Sequence, residues 1–473
     1  MKDFLIWLGA PLLACGSLAA QGLPAAPAPR GIPAYGAGSI TSDVALLQPL
    51  PAAEQMVPAS TPEAGQQSLT LAQAELMAIR NNPRVTVGRL LALAQHQVTR
   101  EARAAELPTA NGAITAEDAE EGSRTGAGSL TSSRLLEHAG AGFDGTQLIF
   151  DFGHAHNLVL AQKLSEKASN ANALATTEEI VLATDEAFYG ALTAQAELDV
   201  ARETVNARQA TESQVGAMTK NKLKSTLDLS FADVDLSQAQ LLQLDAQSNA
   251  NASMAVLDAV LGLDHDVAYR LDEGAGAPPP PPASVEPLIQ TALQQRPDLQ
   301  ALSYDTQSAQ KFARAQWDQL LPTVSAEGTA GLIPVRSGTY YTTNWWGAVG
   351  GNVSVPIFNG FLYTSQAREA KYRAQAAAEK SRDLRDRIVR DVRTSWLQTN
   401  NNWQRMTVTA QLVKQANLAM ELAQTRYKLG LSSIVELTQA QLQQTSAQIE
   451  DTSARYQYRL SLSTLSYEMG VTP

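Results

Sequence analysis

The sequence has few residues of the kinds that build disulfide frameworks, nucleic-acid surfaces or catalytic sites. Its one cysteine, Cys15, excludes an internal disulfide and a thiolate metal cluster. The net charge of −11 argues against a nucleic-acid partner, which would need a basic face. The five histidines form no Ser/His/Asp, Cys/His or metal-ligand set at an interpretable spacing. We therefore expect no enzyme, no cofactor and no bound metal.

Proline is missing from two long segments. None occurs between 109 and 277 or between 357 and 472. In the second segment, residues spaced by three and four form one series: Val389, Val392, Trp396, Thr399, Trp403, Met406, Ala410, Val413, Asn417, Met420, Gln424 and Tyr427. After a turn at 429–433, a second series at intervals of seven consists of Val435, Leu442, Ile449 and Tyr456. Heptad spacing predicts two long helices that pack lengthwise as an antiparallel hairpin.

The first 20 residues have the pattern of a secretory signal peptide. Lys2 precedes an apolar run, Phe4 to Ala14, that is too short to span a membrane in the mature chain. Two cleavage sites are open. Leu12-Leu13-Ala14-Cys15 is a candidate lipobox, which would make Cys15 an acylated N terminus, and Ser17-Leu18-Ala19 is a small-x-small site. Both interpretations predict export, and no later run reaches the roughly 18 apolar residues of a transmembrane helix.

From residue 69 onward the sequence occurs in two similar copies. Leu107-Pro108-Thr109 matches Leu321-Pro322-Thr323, Ile149-Phe150-Asp151 matches Ile357-Phe358-Asn359, and Gly262 matches Gly470. The pattern predicts a tandem duplication. The predicted segments are a signal peptide (1–20), a flexible Pro/Ala-rich arm (21–67), a first repeat (68–272, strands near 107–118 and 139–150, helical hairpin near 153–262), a Pro-rich linker (273–284) and a second repeat (285–473, strands near 321–333 and 343–357, helical hairpin near 360–470).

The four predicted strands each alternate between a weakly apolar face and a polar face. Strand 345–355, for example, sets Val349, Val353 and Val355 against Asn352 and Ser354. Strands of about 10 residues with this alternation suit a tilted membrane strand. One strand end carries four aromatic residues, which we interpret as a membrane-interface girdle: Tyr340, Tyr341, Trp345 and Trp346.

Four strands cannot close a barrel by themselves. Each open edge would leave unpaired N–H and C=O groups in hydrocarbon, at several kcal/mol apiece. Bacterial barrels begin at about 8 strands, so two or more copies of the chain would have to share one barrel. Both helical hairpins leave the strands in the same direction and would continue the wall below the membrane.

These features resemble the TolC-like outer-membrane efflux proteins. The resemblance is carried by the duplication, the Leu-Pro-Thr strand starts, Ile149-Phe150-Asp151-Phe152-Gly153, Pro356-Ile357-Phe358-Asn359-Gly360 and Arg426-Tyr427-Lys428-Leu429-Gly430. It implies a mixed α and β membrane fold: a transmembrane β-barrel shared by three chains, four strands from each, and a long periplasmic α-helical coiled-coil barrel with an internal two-fold repeat. It also implies outer-membrane lipid around the barrel, and a periplasmic adaptor and an inner-membrane pump of the RND or ABC class as partners.

The same resemblance implies a gate at the periplasmic ends of the hairpins, held by acidic rings and hydrogen bonds. Asp228 and Glu436 match the acids of this gate, and Tyr427 matches the tyrosine that hydrogen-bonds to the first acid. Gln439 stands at the position of a second acid, and Ser432 at that of an arginine. We expect an Asp228–Tyr427 link and a ring of Glu436 side chains to narrow the entrance.

The predicted function is that of a passive exit channel in a tripartite efflux or secretion system, opened at its periplasmic tip by the adaptor and the pump. Two alternatives remain open. One is an outer-membrane channel for type I protein secretion. The other, from a different class, is a structural coiled-coil surface protein without a pore, which would have no use for the alternating strands.

Overall fold

A computed structural model gives the fold. It describes residues 67–118, 124–127, 130–134, 138–263, 269–273, 276–337 and 340–471. Every described residue belongs to one compact unit, 64–473. The predicted signal peptide, Cys15 and nearly all of the Pro/Ala-rich arm lie outside the described residues.

Long helices dominate the described chain. The elements in order are β1 (Gln67–Thr70), α1 (Leu71–Asn81), α2 (Pro83–Ala104), β2 (Thr109–Glu117), β3 (Arg124–Ala127), β4 (Leu130–Arg134), β5 (His138–Phe150), α3 (His154–Lys220), α4 (Thr226–Leu261), β6 (Tyr269–Asp272), α5 (Glu286–Gln295), α6 (Pro297–Asp318), β7 (Thr323–Ser337), β8 (Tyr340–Ser354), α7 (Leu362–Lys428) and α8 (Ile434–Glu468). Helices α3 and α7 each contain 67 residues, and α2 and α6 each contain 22. No described helix has both the length and the hydropathy to cross a bilayer.

Two helical hairpins form the longest part of the fold. The first hairpin is α3–α4 and the second hairpin is α7–α8. At about 1.5 Å per residue, α3 and α7 each extend about 100 Å. Ser225 and Ser433 begin the returning helices α4 and α8 by accepting hydrogen bonds from the backbone N–H three residues on. Uninterrupted helix-forming sequence therefore sets hairpin length, and these caps set where each hairpin returns.

The buried face of α7 differs by one position from the predicted heptad series. Thr399, Met406, Val413, Met420 and Tyr427 of that series are buried or half-buried. Between them, the most deeply buried residues lie one position earlier than predicted: Asn402, Thr409, Ala416 and Ala423. Of the predicted residues, Trp403 and Gln424 are half-buried, and Ala410 and Asn417 are exposed.

Small side chains explain this difference, because they let α7 approach α8 closely. Thr399 Oγ1 donates to the backbone oxygen of Ser461 at 3.1 Å, and Thr409 Oγ1 donates to Asp451 at 3.1 Å. Trp403 also reaches α8, where its ring centroid lies 5.0 Å from that of Tyr458, but it stays only half-buried. The separation of packed helices follows the side chains at their contact, which a heptad count by itself does not reveal.

The predicted α8 series is wrong at its first two positions. Val435 and Leu442 are 55% and 59% exposed, while Ile449 is half-buried and Tyr456 is buried. The buried positions near the start of α8 are Ile434, Leu437 and Gln441 instead. The exposed residues therefore face away from their own chain.

A four-stranded antiparallel sheet joins the two halves of the chain, in the order β2-β5-β7-β8. The first two strands begin and end within two residues of the predicted positions. The last strand, predicted at 343–357, runs from Tyr340 to Ser354 because its pairing with β7 continues to Ser337 and stops before Pro356, which has no N–H to donate. The short β3–β4 hairpin was not predicted.

The two faces of this sheet differ in polarity. Paired residues share a face, so the register places Ile114, Phe143, Trp345, Val349 and Val353 together. All five are between 63% and 91% exposed. The opposite face carries polar residues, among them Asn111, Asp144, Thr329, Glu327 and Asn352. One surface of the sheet is therefore apolar and uncovered in the single chain.

Trp345 and Trp346 lie on opposite faces, because neighbouring residues in a strand alternate. Trp346 is on the polar face, where its indole Nε1 lies close to the Cα of Gly331. At most one of these two side chains can therefore belong to an apolar belt. The backbone of Tyr340 and Tyr341 lies in β8, but their side chains lie outside what the structure describes.

Small elements pack around the middle of the helices. β1 and β6 form a parallel pair, and α1 packs on α3 through a core cluster that contains Ala74, Ala78, Phe188 and Leu257. The predicted Pro-rich linker is attached to the second hairpin. The Tyr458 hydroxyl donates to Pro279 O at 2.5 Å, and Trp396 Nε1 donates to Pro282 O at 2.8 Å.

Candidate functional site: the hairpin tips

The candidate gate residues lie at the ends of the two hairpins, far along the helices from the sheet. We define the tips as residues 220–228, around the α3–α4 turn, and residues 426–436, around the α7–α8 turn. Gly430 in the second turn has φ +75°, a backbone conformation that side-chain-bearing residues rarely adopt. The Leu429-Gly430 pair therefore ends α7 as the sequence predicts.

The two tips share one apolar cluster. Tyr427 and Ile434 from the second hairpin pack with Val215 of α3 and Ala232 of α4, and all four are at most 3% exposed. Leu437 completes the buried set. The first hairpin is therefore attached to the second at the tips by an apolar contact, and separating them would expose these side chains to water.

The predicted Asp228–Tyr427 hydrogen bond does not form. The Asp228 carboxylate accepts from the backbone N–H and the hydroxyl of Ser225, at 3.1 Å and 3.0 Å. Both bonds end on Asp228 Oδ2, and the buried Tyr427 hydroxyl has no hydrogen-bond partner among the described residues. Burial, and then the charge of Asp228, raise the pKa of Tyr427. The two residues are thus electrostatic neighbours without a direct bond.

Lysine and arginine side chains that sequence reasoning missed complete the tips. Lys224 Nζ lies 4.1 Å from the ring centroid of Tyr427, a cation–π contact. Arg426 Nε lies 3.1 Å from the carboxylate of Glu436, and both side chains are about half exposed. Gln439 is exposed, and the buried Ser432 hydroxyl has no hydrogen-bond partner in the described chain.

The tips are basic overall. They contain five basic residues, Lys220, Lys222, Lys224, Arg426 and Lys428, and two acidic ones, Asp228 and Glu436. The acidic ring that the resemblance implies therefore accounts for only part of the charge at the tips. The missed signal was in the sequence, since Lys220-Asn221-Lys222-Leu223-Lys224 places three like charges in five residues next to a turn.

Above the tips, a buried polar layer links the two hairpins. Arg208 of α3 is 6% exposed, and its Nε lies 3.2 Å from Asp235 of α4. Its Nη2 reaches Thr445 Oγ1 of α8 at 3.5 Å, and Gln441 Nε2 donates to Thr211 Oγ1 at 3.2 Å. Burial lowers the pKa of Arg208 and raises that of Asp235, while their mutual attraction opposes both shifts.

Among the residues that the structure describes, no group of three or more His, Cys, Asp or Glu side chains could hold a metal ion. The chemistry of the tips consists of charge, a buried tyrosine and apolar packing. Such a site can hold two hairpins together and can be separated by a partner that competes for the same surfaces.

Comparison with known proteins gives consistent matches. The sequence model of the family described as "Outer membrane efflux protein" matches residues 288–471. "Outer membrane protein TolC" of Escherichia coli (strain K12) is 23% identical over 340 residues, which is 69% of this chain and 68% of TolC. "Alkaline protease secretion protein AprF" of Pseudomonas aeruginosa is 24% identical over 304 residues, 62% of each chain.

A solved structure has the same fold. The outer membrane protein VceC of Vibrio cholerae superimposes with a TM-score of 0.73 at 18% sequence identity. The match covers 85% of this chain and 96% of VceC.

Proposed function

Because this chain is a TolC-like outer-membrane efflux protein, as its motifs predicted, we propose that three copies form a passive duct. The chain is an outer-membrane exit channel for an efflux or secretion system, with its helices in the periplasm. In the proposed duct, β2, β5, β7 and β8 of each copy contribute to one 12-stranded barrel. A periplasmic adaptor and an inner-membrane pump open the tips.

The sheet is the single observation that carries this proposal. Its apolar face is uncovered, and β2 and β8 are edge strands with one unpaired side each. In a bilayer, each unpaired backbone group costs several kcal/mol, so the edges must pair with other copies. Trp345 and the strand segment of Tyr340 and Tyr341 would then lie at a membrane interface, with Trp346 on the polar, lumen-facing side.

The proposed trimer also accounts for apolar stripes on the helices. Leu227, Val234 and Leu241 of α4 recur at intervals of seven and are 54–63% exposed. Val435 and Leu442 of α8 occupy the matching positions of the second half and are similarly exposed. Heptad stripes without a partner in their own chain are typical of helices that pack against another copy.

We further propose that the chain is a tandem repeat, with the boundaries 68–272 and 285–473. The equal lengths of α3 and α7, and of α2 and α6, support this division. Each repeat then supplies two strands and one hairpin to the wall. The proposal assigns no catalytic, cofactor or metal site to the chain, and its relatives are named as an outer membrane protein and a protease secretion protein.

At the tips, the proposed closed state is stabilised by the shared apolar cluster and by the Arg426–Glu436 ion pair. Asp228 caps the start of α4. Gln439 is the other position that the resemblance places at the gate. An adaptor with acidic and apolar tips would match the exposed charge, because five basic residues lie there. This chemistry identifies the class of surface that opens the duct.

Single-channel conductance in planar bilayers tests the proposal. The purified protein is expected to form channels of low conductance, and the double variant Asp228→Asn/Glu436→Gln is expected to conduct more, because it removes both tip carboxylates. Glu421→Gln, an exposed position on α7, is the matched control. Unchanged conductance in the double variant would contradict the gate, whereas a detergent-free, rod-shaped soluble monomer would overturn the channel itself.

The AprF match favours one second candidate, a channel that exports proteins. The duct would be the same, and only the cargo would differ. Co-purification of an exported protein in complex with the duct, its adaptor and its pump would identify this variant of the function.

A further inference from the structure

A cavity of about 450 Å³ lies near the middle of the helices, well away from both the sheet and the tips. Its walls are α1, α3, α8 and the backbone of 276–279. Glu273 lines it as the ion-pair partner of Arg459. Two further carboxyl groups, Glu75 from α1 and Asp185 from α3, also line it, and these are 9% and 6% exposed. The proposed channel function uses neither of them.

The carboxyl group of Asp185 is incompletely satisfied. Its Oδ1 is buried and has no hydrogen-bond donor among the described residues. Ser463 and Glu75 line the cavity beside it, and the two carboxyl groups are close enough for each to shift the pKa of the other. Two neighbouring carboxyl groups can share a hydrogen bond only if one of them keeps a proton. Without that proton, two negative charges would face each other in a buried site, which is costly.

The surrounding charged groups leave this pair without a counter-ion. On α8, Arg459 lies 3.3 Å from the carboxylate of Glu273 and donates to the carbonyl oxygens of Glu273 and Gly276, at 2.7 Å and 3.1 Å. On α3, the exposed Glu186 adds a further negative charge that raises the pKa of Asp185.

The two tyrosines of the cavity add no charge. Burial raises the pKa of both Tyr189 and Tyr467, so each remains neutral at physiological pH. A cation inside the cavity would therefore meet an excess of negative charge whenever the carboxyl pair loses its proton.

The remaining walls are apolar. Leu71 lies one helical turn before Glu75 on α1, and Val181 lies one turn before Asp185 on α3. Leu462 of α8 also lines the cavity. The cavity thus combines an anionic end with aliphatic side chains, which is the complement of an ammonium group on a short hydrocarbon stem.

We propose that this cavity binds a small organic cation, a primary alkylammonium, which takes the place of the proton shared by Glu75 and Asp185. The ammonium group donates hydrogen bonds to the carboxyl groups of Asp185 and Glu75, and its stem packs on Leu71, Val181 and Leu462. As the cation enters, one proton leaves the carboxyl pair to solvent, so the charge of the occupied cavity is unchanged. The site does not depend on the proposed channel function.

Calorimetric titration of the full-length protein in detergent with n-butylammonium chloride tests this proposal. Burial, and then Asp185, raise the pKa of Glu75 to about 7, so the proton is easier to displace above that value. Binding is therefore expected to weaken by about tenfold between about pH 8 and pH 6. One proton should be released per cation bound below about pH 7, which the buffer dependence of the binding heat measures.

Variants make the test specific. Asp185→Asn and Glu75→Gln are each expected to weaken binding by at least about tenfold. Glu75→Gln imitates the protonated side chain and should fold even if Asp185→Asn does not. Glu203→Gln removes an exposed carboxylate from the same helix α3 and should bind like the wild type.

Three results would overturn the site. The first is the absence of any binding heat from wild-type protein at either pH, which would show that Glu75 and Asp185 share a proton and bind no cation. Equal affinity for neutral n-butanol would identify an apolar pocket without a cation site, and unchanged affinity in both variants would place the cation elsewhere. Absence of channels in bilayers together with intact cation binding would overturn only the proposed function.

Discussion

Single polar residues decide where the long helices begin. The Asp151 carboxylate accepts hydrogen bonds from the backbone N–H groups of Gly153 and Ala155, at 3.0 Å and 2.6 Å. Its counterpart in the second half, Asn359, accepts only through its backbone carbonyl, and α7 has no side-chain cap. The side chain at this motif position therefore caps the long helix in the first half of the chain but not in the second.

Asp151→Ala is expected to lower the free energy of unfolding by about 1 to 2 kcal/mol, because two N–H groups at the start of α3 lose their acceptor. Asn359→Ala is the matched control and should change it by less than about 0.5 kcal/mol. Thermal unfolding followed by circular dichroism in detergent measures both. Equal losses in the two variants would contradict the capping role.

The pKa of Glu75 predicts a pH dependence of stability. Its value in the folded chain is about 7, above the ordinary 4.5, so between these pH values the folded state binds more protons than the unfolded state. The stability contribution of Glu75 is therefore fully present below about pH 4.5 and is lost as the pH rises through about 7.

Glu75→Gln is expected to remove this pH dependence. At about pH 8 it should raise the unfolding midpoint above that of the wild type, by the equivalent of about 1 to 2 kcal/mol, and at about pH 5 it should have little effect. Unfolding curves at the two pH values, without added amines, provide the measurement. A stabilisation of the same size at both pH values would show that protonation is not its cause.

Contacts between elements hold the hairpins in register. The Arg208–Asp235 pair connects α3 to α4, and Thr445 connects this pair to α8. A buried ion pair is a poor source of net stability, but it strongly disfavours arrangements that leave either charge without its partner. The layer therefore defines how α3, α4 and α8 align above the tips.

Arg208→Leu is expected to destabilise the protein by about 3 to 5 kcal/mol, since it leaves Asp235 buried without its partner. Arg208→Leu/Asp235→Leu should recover most of this loss. Denaturant unfolding of both variants measures the difference, with Arg202→Leu as the exposed control expected to cost less than about 1 kcal/mol. A double variant as unstable as the single one would contradict the pairing argument.

A glycine at the end of α4 permits close contact with the end of α1, next to its junction with α2. Gly262 has φ +70°, and a Cβ at this position would lie 3.0 Å from the backbone of Asn81. Asn82 Nδ2 also donates to Val260 O at 2.9 Å, so the two helix ends are joined directly.

Gly262→Ala is expected to cost more than Gly430→Ala, by about 1 kcal/mol or more. Both substitutions strain a left-handed residue, but only the first also meets backbone atoms, because no atom lies within 4 Å of the Cβ position at Gly430. Comparison of the two melting temperatures isolates the steric part. Identical melting temperatures would show that the junction adjusts without cost.

At the scale of the whole molecule, much apolar surface is left uncovered by the chain itself. It includes the sheet face around Ile114 and Val349 and the heptad stripes of α4 and α8. Contiguous apolar surface of this kind marks contact with lipid or another protein. The proposed trimer assigns the sheet face to lipid and the stripes to neighbouring copies.

Val234→Lys/Leu442→Lys is expected to shift the protein from trimer to monomer, because it buries two charges per copy in the proposed interface. Gln240→Lys, an exposed position on another face of α4, is the matched control and should leave the trimer intact. Light scattering with detergent correction measures the mass. If the double-lysine variant is still a trimer, these stripes are not part of the interface between copies.

Local features of the chain were sufficient to predict the long hairpins and the alternating strands. The absence of proline between 357 and 472, the Leu429-Gly430 turn and the period-two pattern of 345–355 act over a few residues, and they appear directly in the order of amino acids. The family resemblance was recognisable for the same reason, since its motifs are short and keep their spacing.

Contacts between distant residues depended on the tertiary structure. Only helix packing decides that Asn402 is more deeply buried than Trp403, that Arg208 meets Asp235, and that Glu75 meets Asp185, which lies 110 positions later in the chain. The Asp228–Tyr427 bond was predicted and is absent: Asp228 caps α4 through Ser225, and the Tyr427 hydroxyl has no partner among the described residues. Periodicity defines a face only to within about one residue, and the partners of a buried charge depend on which helices come together.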